Sequence, residues 1–252
     1  MNISVAIAMP VYNEADGIQE TLELLDEAFS QSGIRTEFFI QNDVSTDETL
    51  SVIKGVKTQL KLSVSVETND RNMGHGPTTW RAYRRAVASG HQIVLQLDSD
   101  GQFNPSQIPQ IVQLCSDRNM VVMGNRISRT DPWFRKVLTK ALRMYLQFRF
   151  GLRSPDPNSP VRAYPTHILK LLLSDIPENP LIPNIYLALS ASARKFPSIT
   201  VAIKHRVRRG TSSTGTMWSK GNIRFSLIPR TLIKFCRLAF RELRAFRGKP
   251  LL

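Results

Sequence analysis

Asp98 and Asp100 stand two residues apart, directly after the apolar run Ile93-Val-Leu-Gln-Leu97. Such a pair offers the hard oxygen ligands that Mg2+ or Mn2+ accepts, with waters and a substrate diphosphate completing the shell. An ion there would neutralise charge building on a departing diphosphate. Alone the pair is a weak signal, because solvent-facing turn carboxylates account for most Asp-x-Asp spacings. Two further polar clusters strengthen it, each following another apolar run: Pro10-Val-Tyr-Asn-Glu14 and Asn42-Asp43-Val-Ser45-Thr-Asp47. Neither GxGxxG nor a Walker loop follows any of these runs, which sets aside dinucleotide and P-loop chemistry. His75, His91, His167 and His205 show no paired spacing and read as satisfied or surface histidines. Cys115 and Cys236 are too few for a disulfide framework or a cysteine metal cluster.

The elements that must position these clusters alternate along the chain. Strand-length apolar runs are expected at Ile3–Met9, halted by Pro10, at Glu37–Gln41, Leu62–Glu67, Ile93–Leu97 and Met120–Gly124. Between them, Ile18, Leu22, Leu25 and Phe29 recur at helical spacing, as do Leu50, Ile53 and Val56. Further helices are expected over Thr78–Ser89 and Pro105–Leu114. Strands alternating with helices predict βαβ units around an open, mostly parallel sheet flanked by helices. Ligands of such sheets bind beyond the carboxyl ends of the strands, so all three clusters are expected to face one crevice.

Charge divides the chain unevenly. Residues 1–130 carry 11 basic and 15 acidic side chains, whereas residues 131–252 carry 23 and 5. A basic half attached to a mildly acidic half predicts a polyanionic partner: phosphates, an anionic membrane surface or nucleic acid. The opening segment lacks the basic start of a signal peptide, and no uncharged apolar run approaches the roughly 20 residues of a spanning helix.

At this point the residues resemble a known family. MPVYNEADGI (9–18), NDVSTDET (42–49), RNMGHGPTTWRAYRRA (71–86) and LQLDSDGQFNP (95–105) are similar to the ordered motifs of inverting family 2 glycosyltransferases. The likeness continues through GNRISR (124–129), SPDPNSPVRAY (154–164) and HRVRRGTSS (205–213), and is greatest to the dolichyl-phosphate mannose synthase and polyprenyl-phosphate sugar transferase branch. It implies a GT-A fold over 1–215, a UDP- or GDP-linked sugar donor and a Mg2+ or Mn2+ cofactor. It also implies a lipid-phosphate acceptor; with no spanning run in the sequence and nucleotide sugars made in the cytoplasm, peripheral attachment at the cytoplasmic membrane face is expected. Residue by residue, Pro10, Tyr12 and Glu14 would line the nucleoside pocket, and Asp43 would contact base or ribose. Asp98, Asp100 and Gln102 would hold metal and diphosphate. Asp156 would lie near the acceptor, serving as general base if that acceptor is a hydroxyl. Arg126, Arg162, Arg206 and Arg209 would gather phosphate charge. The chain departs from the family pattern at Asn42-Asp43, Pro160-Val161 and Thr200-Val-Ala202.

Residues 216–252 form a basic tail. Past Pro229, the residues Ile228, Leu232, Phe235, Ala239, Leu243 and Phe246 fall on one helical stripe. Arg230, Lys234, Arg237, Arg241 and Arg244 fall opposite. Such a helix suits an anionic membrane interface, with packing of the stripe on the catalytic domain as the competing expectation. Two other readings carry less: a soluble family 2 enzyme acting on a sugar or protein hydroxyl, and a nucleic-acid-binding module. The second lacks a reading motif and the aromatic-basic interleaving of stacking platforms, so no specific nucleic acid is expected.

Overall fold

The computed structural model describes residues 3–127, 133–206 and 230–246. Seven strands form one sheet: β1 (Ser4–Val11), β2 (Arg35–Asn42), β3 (Ser63–Thr68), β4 (Ile93–Gln96), β5 (Val121–Ile127), β6 (Arg162–Pro165) and β7 (Ser198–Lys204). Their order across the sheet is β3-β2-β1-β4-β6-β5-β7. All neighbours run parallel except β6, which is antiparallel to both β4 and β5. This is the open, mostly parallel sheet that the alternation of elements predicts.

Every residue of β1 is buried, as a strand covered on both faces must be. Val5, Ile7, Met9 and Val11 pack against α1 (Ile18–Ser32), α2 (Thr49–Lys57) and α4 (Ile108–Arg118). Ala6 and Ala8 share the other face with α3 (His75–Ala88), α6 (Thr166–Ser174) and α7 (Pro183–Ala193). Gly33 closes α1 in the left-handed conformation, φ 69°. α4 is entered through a 3-10 turn at Pro105–Gln107.

Pro10 does not end β1, which runs on to Val11 in register with Asn42. The reason is parity. Ala8 accepts from Leu97 N–H on the β4 side, and Val11 accepts from Asp43 N–H on the β2 side. Pro10 therefore turns its missing N–H toward the side where the pairing with β4 has already finished, at Ala8 opposite Gln96.

α5 (Trp133–Phe150) leaves from the β5 side and leads back to β6. α8 (Arg230–Ala245) forms where the tail predicts a helix, and the described part of its stripe, Ala239, Leu243 and Phe246, turns inward. Leu243 is buried, Ala239 and Phe246 pack on the core, and the Phe246 ring lies 4.9 Å from that of Tyr186. The Glu242 carboxylate accepts from Leu181 N–H at 3.2 Å. Packing on the catalytic domain thus takes the part of the stripe that the membrane reading needs. The junction between domain and tail, with Trp218 and Phe225, lies outside the described residues. Among the described residues, no helix is long and apolar enough to cross a membrane.

Candidate active site at the carboxyl edge

The chain order leaves β1 on one side toward β2 and β3, then returns to β4 on the other. That reversal opens a crevice beyond the carboxyl ends of β1 and β4, where such sheets bind ligands. The loops after these strands carry Pro10–Glu14 and Asp98–Gln102. β6 enters the sheet at the same edge, because its first residue, Arg162, pairs with Gln96 at the end of β4. The segment before it therefore lands beside Asp98, bringing Asp156 there. β5 and β7 end at this edge too and contribute Arg126, His205 and Arg206.

The first two polar clusters are tied together. Asn13, itself left-handed at φ 51°, exchanges bonds with the second loop: Thr46 N–H donates to its Oδ1 at 2.8 Å and its Nδ2 donates to Thr46 Oγ1 at 3.1 Å. Glu14 N–H donates to Thr49 Oγ1 at 2.8 Å, and Ala15 N–H to Asp47 at 3.2 Å. Pro10 and Glu14 are buried and Tyr12 is half-buried. Val44, a β-branched residue, is held at φ 58°, a strained conformation of the kind that gathers at ligand sites.

Asp43, expected to contact base or ribose, is held within the wall of the crevice. It is 2% exposed, and its carboxylate accepts from Asn69 Nδ2 and from the Met73 and Gly74 N–H groups, each at 2.8 Å. Its position fixes the loop that starts α3. The double-aspartate pattern of the resemblance becomes Asn42 and Asp43 here, and both side chains build the wall: Asn42 Oδ1 accepts from Ser45 N–H and Oγ.

At the third cluster, Asp98 accepts from Gln96 Nε2 at 3.0 Å, and Asp100 accepts from Gln102 N–H at 3.1 Å. Arg126 makes a bidentate pair with Asp156, Nε to Oδ2 at 2.7 Å and Nη2 to Oδ1 at 3.1 Å. Burial would pull the Arg126 guanidinium down. The hydrogen bonds and charge of Asp156, then the charges of Asp98 and Asp100, hold it above its ordinary value. Arg126 is thus a fixed cation among three carboxylates.

Arg162 does not stand with it. Fully buried, it donates through Nε to Ser159 O at 2.8 Å and through Nη2 to Pro157 O. This corrects the expectation of a phosphate-gathering arginine: Arg162 pins the 156–160 loop from beneath and presents no charge to the crevice. Arg206 donates to Asn104 Oδ1 at 3.2 Å, beyond the Asp100 turn. Arg209 lies outside the described residues.

Two histidines read from sequence as ordinary are at the site. His75 Nε2 is 3.7 Å from Asp98 Oδ1, and His205 Nδ1 is 3.1 Å from the Gln102 carbonyl oxygen. Their signal was position rather than spacing: each sits inside a motif, GHG and HRVRRG, that follows a strand.

The comparisons agree with this architecture. The model of the family described as "Glycosyl transferase family 2" matches residues 6–171. Undecaprenyl-phosphate 4-deoxy-4-formamido-L-arabinose transferase of Serratia proteamaculans is 27% identical over 224 residues, covering 89% of this chain and 66% of the relative. The enzyme of the same name from Pectobacterium carotovorum is 25% identical over the same shares. The chain therefore spans just under two thirds of the length of these relatives. Among solved structures, glucosyl-3-phosphoglycerate synthase from Mycobacterium tuberculosis, in complex with Mn2+, UDP-glucose and phosphoglyceric acid, superimposes with a TM-score of 0.64. It is 18% identical, covering 99% of this chain and 81% of that one. A mannosyltransferase from Pyrobaculum calidifontis, in complex with GDP-mannose and Mn2+, gives 0.57 at 18% identity over 81% of this chain and 56% of that one. These structures show a shared GT-A fold. With a family model covering 6–171 and motifs folded to one edge, the chain belongs to glycosyl transferase family 2.

Proposed function

We propose that the protein transfers a sugar from a nucleotide-diphosphate donor to a polyprenyl-phosphate acceptor at a membrane surface. The observation that carries this reading is the meeting of the Asp98-Ser-Asp100 turn with the Arg126–Asp156 pair at one crevice edge. Curated relatives that are undecaprenyl-phosphate sugar transferases support the acceptor class.

The donor would enter between the β1 and β2 loops, with Tyr12 and Glu14 against the nucleoside and Asp43 holding that wall rigid from within. The residues present fit a divalent ion: two carboxylates two residues apart and the Gln102 side chain are hard oxygen donors, leaving positions for diphosphate and water. When bound, such an ion supplies positive charge to the leaving diphosphate.

The acceptor side favours a phosphate over a hydroxyl. A hydroxyl needs a base, and a carboxylate held bidentately by a guanidinium, as Asp156 is, makes a poor one. A lipid phosphate is already anionic and needs positioning instead, which Arg126 and Arg206 are placed to give. Inversion then follows from attack opposite the nucleotide.

The membrane-facing surface, in this reading, belongs chiefly to α5. Val137, Met144 and Phe148 fall on one helical stripe and are 58%, 61% and 96% exposed. Phe240 of α8 joins them, its ring 4.9 Å from that of Tyr145. α5 and α8 also carry Lys140, Arg143, Arg149, Arg237, Arg241 and Arg244, and 133–150 contains no acidic residue. Apolar side chains and cations on the same helices suit an anionic lipid surface. α5 also joins the strand of Arg126 to the loop of Asp156, so this surface would lie next to the acceptor's entry.

The test is thermal unfolding with Mn2+ and UDP, GDP or their sugars, for wild type and Asp100→Ala. A ligand at 100 times its dissociation constant adds about 2.7 kcal/mol. Manganese-dependent stabilisation by one nucleotide, lost in Asp100→Ala, is the expected result. No stabilisation by any nucleotide overturns the reading.

A further inference from the structure

Beneath the crevice runs a chain of buried polar side chains that the proposed chemistry does not yet use. Tyr83 of α3 donates through its hydroxyl to Asn184 Oδ1 at 2.9 Å. Asn184, at the start of α7, donates through Nδ2 to Gln96 Oε1 at 3.1 Å. Gln96, the last residue of β4, donates through Nε2 to Asp98 Oδ1 at 3.0 Å. Each member before Asp98 is buried: Tyr83 and Gln96 fully, Asn184 almost so.

The chain has a direction. Each amide accepts on the Tyr83 side and donates toward Asp98, so the sequence of bonds ends on an acceptor-only carboxylate. Reversing one amide would place its oxygen against that carboxylate. Burial, first, and the nearby Tyr164 and Asp98 hold the Tyr83 hydroxyl well above its ordinary range, so it stays a donor. In a water-poor interior, a chain polarised one way is stiffer than its bonds taken singly, and an unmatched member is costly.

Asn184 has a second bond. The same Nδ2 donates to Ser159 O at 3.3 Å, in the loop that carries Asp156 and that Arg162 pins at the same carbonyl. One amide thus touches both the support of the donor-side carboxylate and the backbone of the acceptor loop.

We propose that Gln96 and Asn184 are positioning residues: Gln96 fixes the orientation of the Asp98 carboxylate, and Asn184 couples that orientation to the 156–160 loop through Ser159. The proposal rests on the reading of Asp98 as a donor-side ligand. Removing a hydrogen-bonded support of a metal ligand weakens metal affinity by about 10- to 100-fold.

Calorimetric titration of Mn2+ with UDP and with GDP tests it on wild type, Asp98→Asn, Gln96→Met, Asn184→Asp and the double variant Gln96→Met/Asn184→Asp. Gln96→Met keeps the volume, and Asn184→Asp keeps the shape while losing both donations. Circular dichroism and the unfolding midpoint establish that each is folded. Binding should vanish in Asp98→Asn and weaken at least 10-fold in each single variant. The double variant should be no weaker than Gln96→Met alone, because both act along one path. Hydrogen exchange of the 156–160 amides should slow when Mn2+ and nucleotide bind wild type, and this slowing should be lost in Asn184→Asp. Binding that persists in Asp98→Asn, or is absent in wild type, removes the site reading and this proposal with it. Loss in Asp98→Asn with wild-type affinity in both folded single variants overturns the positioning role alone. Exchange that is unchanged by ligand in wild type overturns the coupling to the loop.

Discussion

Replacing Arg162 by Met would leave the Pro157 carbonyl oxygen without its Arg162 donor and the Ser159 carbonyl oxygen with Asn184 Nδ2 in place of two donors. With one buried acceptor unmatched and a second weakened, a loss of about 1–3 kcal/mol is expected, read as a lower denaturation midpoint at unchanged slope. Val44 gives the opposite sign. Its left-handed backbone is one that Asn tolerates and a β-branched residue does not. Val44→Asn should raise stability by about 1 kcal/mol, checked by the shift of the thermal midpoint. At this scale the Asp98-Asp100 pair was legible, because it follows an apolar run of strand length and two further polar clusters follow runs of the same kind. Arg162 was not. Its burial depends on a four-residue antiparallel strand whose facing parity no local pattern reveals. The same holds for Asp43, whose three donors come from a loop 26 to 31 residues further on.

Helix ends and helix faces set the next two expectations. A methyl group at Gly76 would run into the backbone of Leu181 and Pro180, so Gly76→Ala must push the first turn of α3 away from the 180–181 segment. A cost of about 1–3 kcal/mol follows, measurable by denaturation. Nucleotide binding should weaken with it, since Gly74 beside this turn holds Asp43. On α8, burial holds the Glu242 carboxyl above its ordinary range, against the pull of the Leu181 N–H and the Tyr186 hydroxyl. An acid raised on folding binds its proton more tightly in the folded chain. Docking of α8 is therefore strongest in acid and weakens as pH rises through the raised value. Glu242→Gln keeps an acceptor for Leu181, and should make hydrogen-exchange protection of α8 the same in acidic and mildly alkaline buffer. The amphipathic stripe of α8 was plain in the sequence, as were the apolar runs of β1 to β5. A stripe announces an apolar neighbour without naming it, and for Ala239, Leu243 and Phe246 that neighbour is the protein's own core. Pro10 was misread because proline stops a strand only when its missing N–H faces a partner.

Across the whole molecule, the imbalance of charge between the two halves carries into the elements: α5 holds basic residues and no acidic one, while Asp98 and Asp100 of the first half stand at the crevice. Phe148→Ser should weaken binding to anionic vesicles by about ten-fold, with no change in melting temperature because the ring is 96% exposed. Binding should also fall as salt rises. Unchanged vesicle affinity in Phe148→Ser would move the lipid contact elsewhere. The fold class was legible from alternation alone. The exposed stripe of α5 was not, because exposure of α5 depends on which helices the sheet has already covered.

The antiparallel course of β6 has a further consequence, for protein engineering and for divergence. The strand is clamped between β4 and β5, so the 151–161 segment enters and leaves through fixed points. Its contents can be exchanged as a cassette, provided Arg162 and the Ser159 carbonyl are kept, without altering the strands that carry the nucleotide-side loops. On the proposed reading of Asp156 as an acceptor-side residue, transplanting this short stretch from a relative is the economical route to a hybrid that keeps its donor site and changes its acceptor.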